Sequence, residues 1–489
     1  MTGSQHADQC EVCILGAGIA GLNALVVAAQ YLGSNDKVVL VDRRPRVGGM
    51  WVDTYDYVRL HQPYQLFTAG NIKWTLGKER GYLASKPEIL DHLQHCLNVV
   101  SRQVDVDERF GWSYVSHEET DRGVQVTLQD PAGQTRLVEA KRLIKAFGFQ
   151  VDPNPPLPVS SKRVRSTTPN DLGQVVESDA PVWIIGGGKT GLDTAHLLIT
   201  RCPGREVNMV VGRGSIALRR DVLLPAGFRG RWFGGMPFTT LGAQLAKRYD
   251  GTNEDELLRW YYSALGTGPT GEKCDFAYGF GGVTSDAEMA VITGGLRRAD
   301  NERFTDAVDR NGSPELVFRS GRTEKVPEGT WLVNCTGLLL RSSHPYEPFV
   351  SPSGRTLSIQ QRSTAIPLTL QAAYFLSHLM FTGGLHTLPL YELDAEGLRD
   401  KLGRSPLPAG FPLTLYNLSL AFDHLPAKVF AGFGSDLLLW YPLPRRLAAM
   451  LRFQRTHRRD REHHRATLDT IRERYDVRCG PLEHLAGRA

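Results

Sequence analysis

The sequence predicts an α/β chain of two Rossmann-like dinucleotide-binding domains, the second inserted into a discontinuous first. Three observations predict it. The apolar run Val12-Cys13-Ile14-Leu15 leads straight into Gly16-Ala17-Gly18-Ile19-Ala20-Gly21 and then into a helical pattern. The same arrangement recurs at Val182-Trp183-Ile184-Ile185, which opens Gly186-Gly187-Gly188-Lys189-Thr190-Gly191. Short continuous apolar runs of this kind read as strands buried on both faces, as in parallel sheets. Finally, 489 residues exceed what one small core holds and suggest two or three units of roughly 150 residues each.

The elements follow in order. Lys37 to Asp42 reads as the second buried strand of the first unit. Ser85-Lys86-Pro87-Glu88 has the capping-box pattern with proline in the first helical turn, and Ile89, Leu93, Cys96, Leu97 and Val100 continue at helical spacing. Gly123 to Asp130 alternates and pairs naturally with Leu137 to Ala140 as an antiparallel hairpin, while Leu143 to Gly148 reads as a strand returning to the first sheet. The proline-rich run Asp152 to Pro158 is a stiff connector. These signals divide the chain into residues 1–160 (first part of one nucleotide domain), 161–340 (the second nucleotide domain) and 341–402 (the return to the first). An insert rich in Trp, Phe, Tyr and Gly occupies 223–282, and a C-terminal extension with a basic helix occupies 403–489.

Composition excludes several classes. A net charge of +5 does not argue for nucleic acid. No run of 18 apolar residues marks a spanning helix, and no basic n-region marks a signal peptide, so a cytoplasmic protein is expected. Seven cysteines in 489 residues give no disulfide framework, and no metal-ligand spacing is present. Cys10 and Cys13 have CxxC spacing, but they fall in a strand and read as buried structural thiols.

The chemistry lies in the two glycine loops. In the first, Gly16 permits the tight turn, Gly18 lets the backbone approach a pyrophosphate, and Gly21 lets helix and strand pack closely. The helix N-terminus offers unpaired N–H groups and a positive dipole end. Asp42, ending the next strand, is placed to accept from ribose hydroxyls. Gly48, Gly49, Met50 and Trp51 follow; a glycine pair after the ribose acid lets the chain pass close to the dinucleotide and assigns FAD to this site. In the second loop, Gly186, Gly188 and Gly191 repeat the logic. Where the first fold has its acid, this one has Gly212-Arg213. An arginine there pairs with a 2′-phosphate and favours NADPH. Lys189, Arg219 and Arg220 are candidates to add positive charge.

Two fingerprints in this order resemble the class B flavin-dependent monooxygenases: the flavin-containing monooxygenases and their Baeyer–Villiger and N-hydroxylating relatives. The resemblance spans roughly residues 10 to 400. Gly49-Met50-Trp51 resembles that family's GG-x-W step, and Tyr57 to Pro63 its segment over the isoalloxazine. Gly188-Lys189-Thr190-Gly191-Leu192-Asp193 resembles its GxSGxD pattern, and Asn334-Cys335-Thr336-Gly337 its late ATG-type strand end. Gly383-Gly384-Leu385 through Glu392 resembles the start of a helix closing the flavin site. There are departures. The family's linker histidine is absent from Lys162 to Thr167, where Arg165 takes its place, and His61 with Gln62 stands where the family has asparagine or aspartate.

The resemblance implies FAD and NADPH as cofactors and O₂ with a small apolar or aromatic molecule as substrates, oxygenated through a C4a-(hydro)peroxyflavin. Thr336 and Gly337 join the cofactor-binding residues, and His61, with Arg59 as the weaker candidate, is the group nearest the chemistry. An NADPH-dependent flavin reductase without oxygen insertion and a non-catalytic flavin-binding module stand as alternatives. The insert aromatics Phe228, Trp232, Phe233, Trp260, Tyr261, Tyr262, Phe276 and Tyr278 read either as a substrate entrance or as ordinary core. The arginine-rich tail reads either as a solvated helix face packed on the protein or as a contact with a membrane surface. Substrate identity and oligomeric state are not legible.

Overall fold

Because the runs around Ile14 and Ile184 are apolar on both faces, each must sit inside a sheet covered on both sides, and each does. A computed structural model of the chain describes residues 7–149, 153–271, 278–337 and 344–483. The first sheet is built from β1 (Asp8–Leu15), β2 (Lys37–Asp42), β3 (Asp105–Phe110), β4 (Ser113–Thr120), β5 (Gly123–Gln129) and β6 (Thr135–Lys145), in the order β3-β2-β1-β6-β5-β4. β3, β2, β1 and β6 run parallel; β5 and β4 are antiparallel additions. β6 is long enough to serve two partners on one edge. Its first half pairs with β5, and its last residues, Leu143 to Lys145, pair in parallel with the strand Thr356–Ser358. The second arm of the hairpin and the returning strand expected from sequence are thus one strand, and the chain after residue 344 rejoins the first sheet.

The second sheet is fully parallel. It contains β7 (Arg165–Thr167), β8 (Val182–Ile185), β9 (Val207–Val210) and the strands Arg298–Asp300 and Trp331–Asn334. The strand order runs from Arg298–Asp300 through β9, β8 and Trp331–Asn334 to β7. An antiparallel meander, Phe304–Arg310, Ser313–Phe318 and Thr323–Lys325, covers one face, where Trp183, Ile185, Leu316 and Phe318 pack together. In each fold the strand leading into the glycines is central, and its last residues, Val12 to Leu15 and Val182 to Ile185, are buried.

Helices complete the layers. Ile19–Ala28 is buried on nearly every side because it lies between the first sheet and the helix Thr369–Phe381. Lys86–Val100 begins with the expected capping box: the Glu88 carboxylate accepts from the Ser85 N–H at 2.8 Å, and Pro87 occupies the first turn. The segment Gly383 to Glu392 differs from expectation. It ends a helix rather than starting one. Gly383 takes φ +77 after Thr369–Phe381, one 3₁₀ turn follows at Gly384–His386, and Tyr391–Leu393 is a strand. Pro389 and the left-handed glycine both oppose helix propagation there. The C-terminal extension is helical: Leu407–His424 packs against Leu443–Tyr475, a helix of 33 residues. Among the described residues no helix is long and apolar enough to cross a membrane.

Candidate functional site

Each glycine loop sits where a central strand hands over to a helix. Gly16 has φ +108, a conformation L side chains rarely adopt, and a Cβ there would stand 2.5 Å from the Ala146 carbonyl oxygen. A Cβ on Gly21 would fall on the Gly16 carbonyl oxygen, so only glycine lets this helix close on its strand. The helix is N-capped by Gly18, with no side chain accepting from its first turn and no acid within it. Its terminal N–H groups therefore have no side-chain acceptor among the described residues, which fits the cradle to an anionic pyrophosphate.

The Gly48-Gly49 step is part of the same cradle. The Gly48 N–H donates to the Ala17 carbonyl at 3.0 Å, and a Cβ on Gly49 would lie 2.7 Å from the Gly18 Cα. Asp42 is buried, and its carboxylate accepts from the Ala17 N–H at 2.7 Å and the Arg44 N–H at 2.9 Å. The acid is held rigidly at the mouth of the glycine turn. Arg44 in turn pairs with Asp53 at 2.6 Å. Met50 is half-buried at the first position of a single helical turn, Met50–Asp53. Trp51 is buried in the core, its ring edge-on to Phe67 at 5.8 Å.

The second cradle follows the same plan with one difference. Gly186 has φ +121 and backs onto the Cys335 carbonyl, and a Cβ on Gly191 would fall on the Gly186 oxygen. Gly188 caps the helix Lys189–Arg201 without a side-chain acceptor, and a Cβ on it would meet no atom within 4 Å. The space above this turn is open, whereas the space above Gly18 is closed by Gly49. Thr336 and Gly337 are exposed just past Trp331–Asn334. The Thr336 N–H and hydroxyl donate to the Asn334 side chain at 3.2 and 2.6 Å, and Asn154 of the connector donates to the Thr336 carbonyl.

Arg213 lies in an open cleft of about 350 Å³ beyond β9, lined also by Asn301, Arg303, Arg319 and Ser320. Its guanidinium donates to the Gly403 carbonyl at 3.1 Å. Glu302 lines the same cleft, and the three arginines outweigh its one carboxylate, a balance that suits a phosphate monoester. Sequence spacing does not single out Arg303 or Arg319: Arg303 follows Arg298–Asp300, which becomes β9's neighbour only in the fold, and Arg319 follows Ser313–Phe318 of the meander. Conversely, three expected positive charges are already paired. Lys189 binds Asp193 one turn on, Arg219 holds Asp286 through two bonds at 2.7 and 2.6 Å, and Arg220 holds Glu288 at 2.7 Å. Burial works against the Glu288 charge, but the Ser285 N–H and Arg220 hold its carboxyl down at about 2.

A clasp joins the two folds. Tyr55 donates to Asp193 at 2.8 Å, Tyr57 and Thr194 share a 2.7 Å bond, and Asn170 donates to the Asp53 carbonyl at 2.6 Å. Burial, with Asp193 beside it, raises the Tyr55 hydroxyl well above its ordinary range, so it remains a donor. His61 belongs to this junction: its carbonyl accepts from Arg220 at 3.4 Å across the folds. Arg59 is directed elsewhere. It is exposed, donates to the Leu83 carbonyl at 2.9 Å and lies against the Tyr82 ring. Arg165 stacks on Trp331 at the start of its strand, the end opposite the glycine loop.

The insert aromatics do not gather into one entrance. Tyr261 is buried, Trp260 lies under Arg248 at 4.5 Å, and Phe228 and Phe233 stand 66% and 79% exposed. They are divided among separate helices, Gly227–Phe233 and Glu254–Leu265. Phe276 and the Tyr278 side chain lie outside the described residues. Cys10 and Cys13 are buried in β1, and burial pushes the Cys10 thiol up to about 12, consistent with structural thiols.

Two glycine-loop helices, each following the central strand of a parallel run, define a fold with two Rossmann-like dinucleotide-binding domains. Residues 10–222 match the family model described as pyridine nucleotide-disulphide oxidoreductase. Curated relatives include an uncharacterized protein of Mycobacterium tuberculosis (strain ATCC 25618 / H37Rv), 26% identical over 236 residues, or 46% of this chain. The chain spans 42% of the length of the curated relatives it matches. Similar solved structures include a flavin-containing monooxygenase from Stenotrophomonas maltophilia (14% identity, 76% of this chain and 98% of that one, TM-score 0.46). A cyclohexanone monooxygenase in its open form (14%, 92% and 99%, TM-score 0.46) and the bacillithiol disulfide reductase of Bacillus cereus (12%, 77% and 100%, TM-score 0.46) are also similar.

Proposed function

We propose that this chain is an FAD-dependent NADPH monooxygenase of the class B kind, acting on an apolar or aromatic small molecule and O₂. Residues 1–160 and 341–402 form the FAD domain, 161–340 the NADPH domain, and 403–489 an extension. The observation that carries the reading is the pairing of two uncapped helix N-termini through the Tyr55–Asp193 and Tyr57–Thr194 clasp, with an arginine cleft at the far end of the second cradle. A protein that merely stored a flavin has no use for the second cradle.

Gly16, Gly18, Gly21, Asp42, Gly49, Met50 and Trp51 hold FAD. Gly186, Gly188, Lys189, Gly191, Arg213, Thr336 and Gly337 hold NADPH, with Arg303 and Arg319 completing the 2′-phosphate site. Bound there, the pair supplies hydride transfer from nicotinamide to flavin and activation of dioxygen. The chain contributes positioning and exclusion of water. Asp42 fixes the adenosine ribose of FAD, and the clasp fixes the angle between the two cradles. His61, at the junction, is assigned the hydrogen bond at the reacting centre; Arg59, turned toward Leu83, is the weaker candidate. Rapid mixing of the NADPH-reduced protein with O₂ tests the reading. Oxygenation chemistry predicts a delay before the flavin reoxidises, with hydrogen peroxide appearing only after that delay because no acceptor substrate is present. Immediate reoxidation with peroxide released in equal amount to NADPH consumed refutes it in favour of a reductase.

A further inference from the structure

Two surface helices outside the dinucleotide machinery stand together and expose apolar side chains ringed by arginine. In Gly227–Phe233, Phe228 and Trp232 pack one turn apart, their rings tilted by 34° and 5.5 Å from each other, and Phe233 beside them is the most exposed large hydrophobic residue described. In Leu443–Tyr475, Leu443, Leu447, Met450 and Leu451 are each about half exposed. Their spacing of i, i+4, i+7 and i+8 puts all four on one helical stripe, and that stripe faces solvent instead of a core. The rest of this helix behaves differently: from His457 onward, His464, Thr467, Leu468 and Ile471 are buried against the protein.

The two exposed faces are neighbours. Arg445 donates to the Arg231 carbonyl at 2.9 Å and to the Gly234 carbonyl at 2.5 Å, and Arg231 donates to the Trp440 carbonyl at 3.0 Å. Trp440 and Tyr441 anchor the same corner through the Pro225 and Leu223 carbonyls. Residues 227–236 and 443–455 together hold six arginines and no acidic residue. Among the described residues Arg229, Arg452 and Arg455 enter no salt bridge.

We infer that this combined face seats the protein on an anionic membrane surface, with Phe228, Trp232, Phe233 and the Leu443 stripe entering the headgroup region and the arginines facing lipid phosphate. Exposed aromatic and aliphatic residues flanked by arginine are what an interfacial helix presents. Charge decides the occupant. A symmetric dimer would set this face against itself, arginine against arginine with no carboxylate to answer, whereas anionic headgroups supply the missing sign. The seating is monotopic, since no described helix can span. It is independent of the proposed reaction.

The test is sedimentation of the full-length protein with vesicles of phosphatidylcholine alone and of phosphatidylcholine doped with phosphatidylglycerol. Binding is expected to the doped vesicles only, falling as salt rises. Arg452→Gln with Arg455→Gln should weaken it about 25-fold, at roughly five-fold per arginine. Phe233→Ser with Leu451→Ser should weaken it about ten-fold or more. Both pairs are exposed, so unchanged thermal melting accompanies the loss. Failure of the parent protein to bind doped vesicles, or equal binding by both variants, overturns the inference. A concentration-dependent dimer that the Phe233→Ser, Leu451→Ser variant abolishes would also overturn it and assign the face to a second copy.

Discussion

Replacing Gly188 by alanine separates glycine needed by the fold from glycine needed by a ligand. Gly188 has φ −72 and ψ −178, a conformation open to any residue, and an added Cβ meets nothing within 4 Å. The variant should therefore fold, at a cost of about 1 kcal/mol or less for alanine at an N-cap. The methyl group, however, takes up part of the open space at the start of the Lys189–Arg201 helix, whose first turn has no side-chain cap. A pyrophosphate held there makes charge-assisted hydrogen bonds worth about 1.5–3 kcal/mol each. Losing one or two costs about 2–4 kcal/mol, or roughly 30- to 1,000-fold in NADPH affinity. The assay is NADPH titration of the purified protein beside its melting curve and FAD content. Melting and FAD content should hold while NADPH affinity falls. The reasoning fails if NADPH binds within a factor of about three of the parent value. Gly191→Ala is the control: its Cβ falls on the Gly186 carbonyl, so that variant should lose the fold itself.

Three further outcomes follow from the geometry. Arg213→Ala should raise the KM for NADPH by about 10- to 100-fold while leaving that for NADH nearly unchanged, because only the phosphate contact is lost; an equal effect on both cofactors removes the basis for NADPH preference. Tyr55→Phe deletes the 2.8 Å bond to Asp193 and should lower unfolding free energy by about 1–3 kcal/mol, read in urea melts, with no change expected in FAD content. Glu392 is buried, and burial pushes its carboxyl up to about 7 while the Tyr346 hydroxyl donates to it at 2.8 Å. A raised folded value means the stability it contributes is present below the unfolded value of 4.5 and is lost as pH rises through about 7. Glu392→Gln should flatten that decline, gaining on the order of 3 kcal/mol over the parent at pH 8 relative to pH 4. Parallel pH–stability curves for the two proteins would refute it.

What the sequence made legible was local. A glycine's neighbours along the chain announce a turn, Ser85 and Glu88 announce a cap three residues apart, and Asp42 is found by counting from Gly21. Each of these works through atoms close in sequence, so spacing carries the information. The insert failed as an entrance because composition reports aromatic rings and not their facing: Phe233 and Tyr261 look alike in sequence and lie at opposite extremes of exposure. Lys189, Arg219 and Arg220 read as free charge in sequence because a charge is visible there and its pairing is not, even where, as for Lys189, the partner Asp193 is only one turn away. In sequence the Gly383 segment resembles a helix start because a glycine pair can flank a helix at either end; the left-handed φ of Gly383 decides the end. Partners more than 100 residues apart, such as Tyr55 with Asp193, or Arg213 with Arg319, leave no spacing signal at all. The Tyr55–Asp193 pair holds one cradle against the other. A single chain's periodicity therefore reveals that two dinucleotide sites exist, and the side chains that set them face to face emerge only once the second sheet docks on the first.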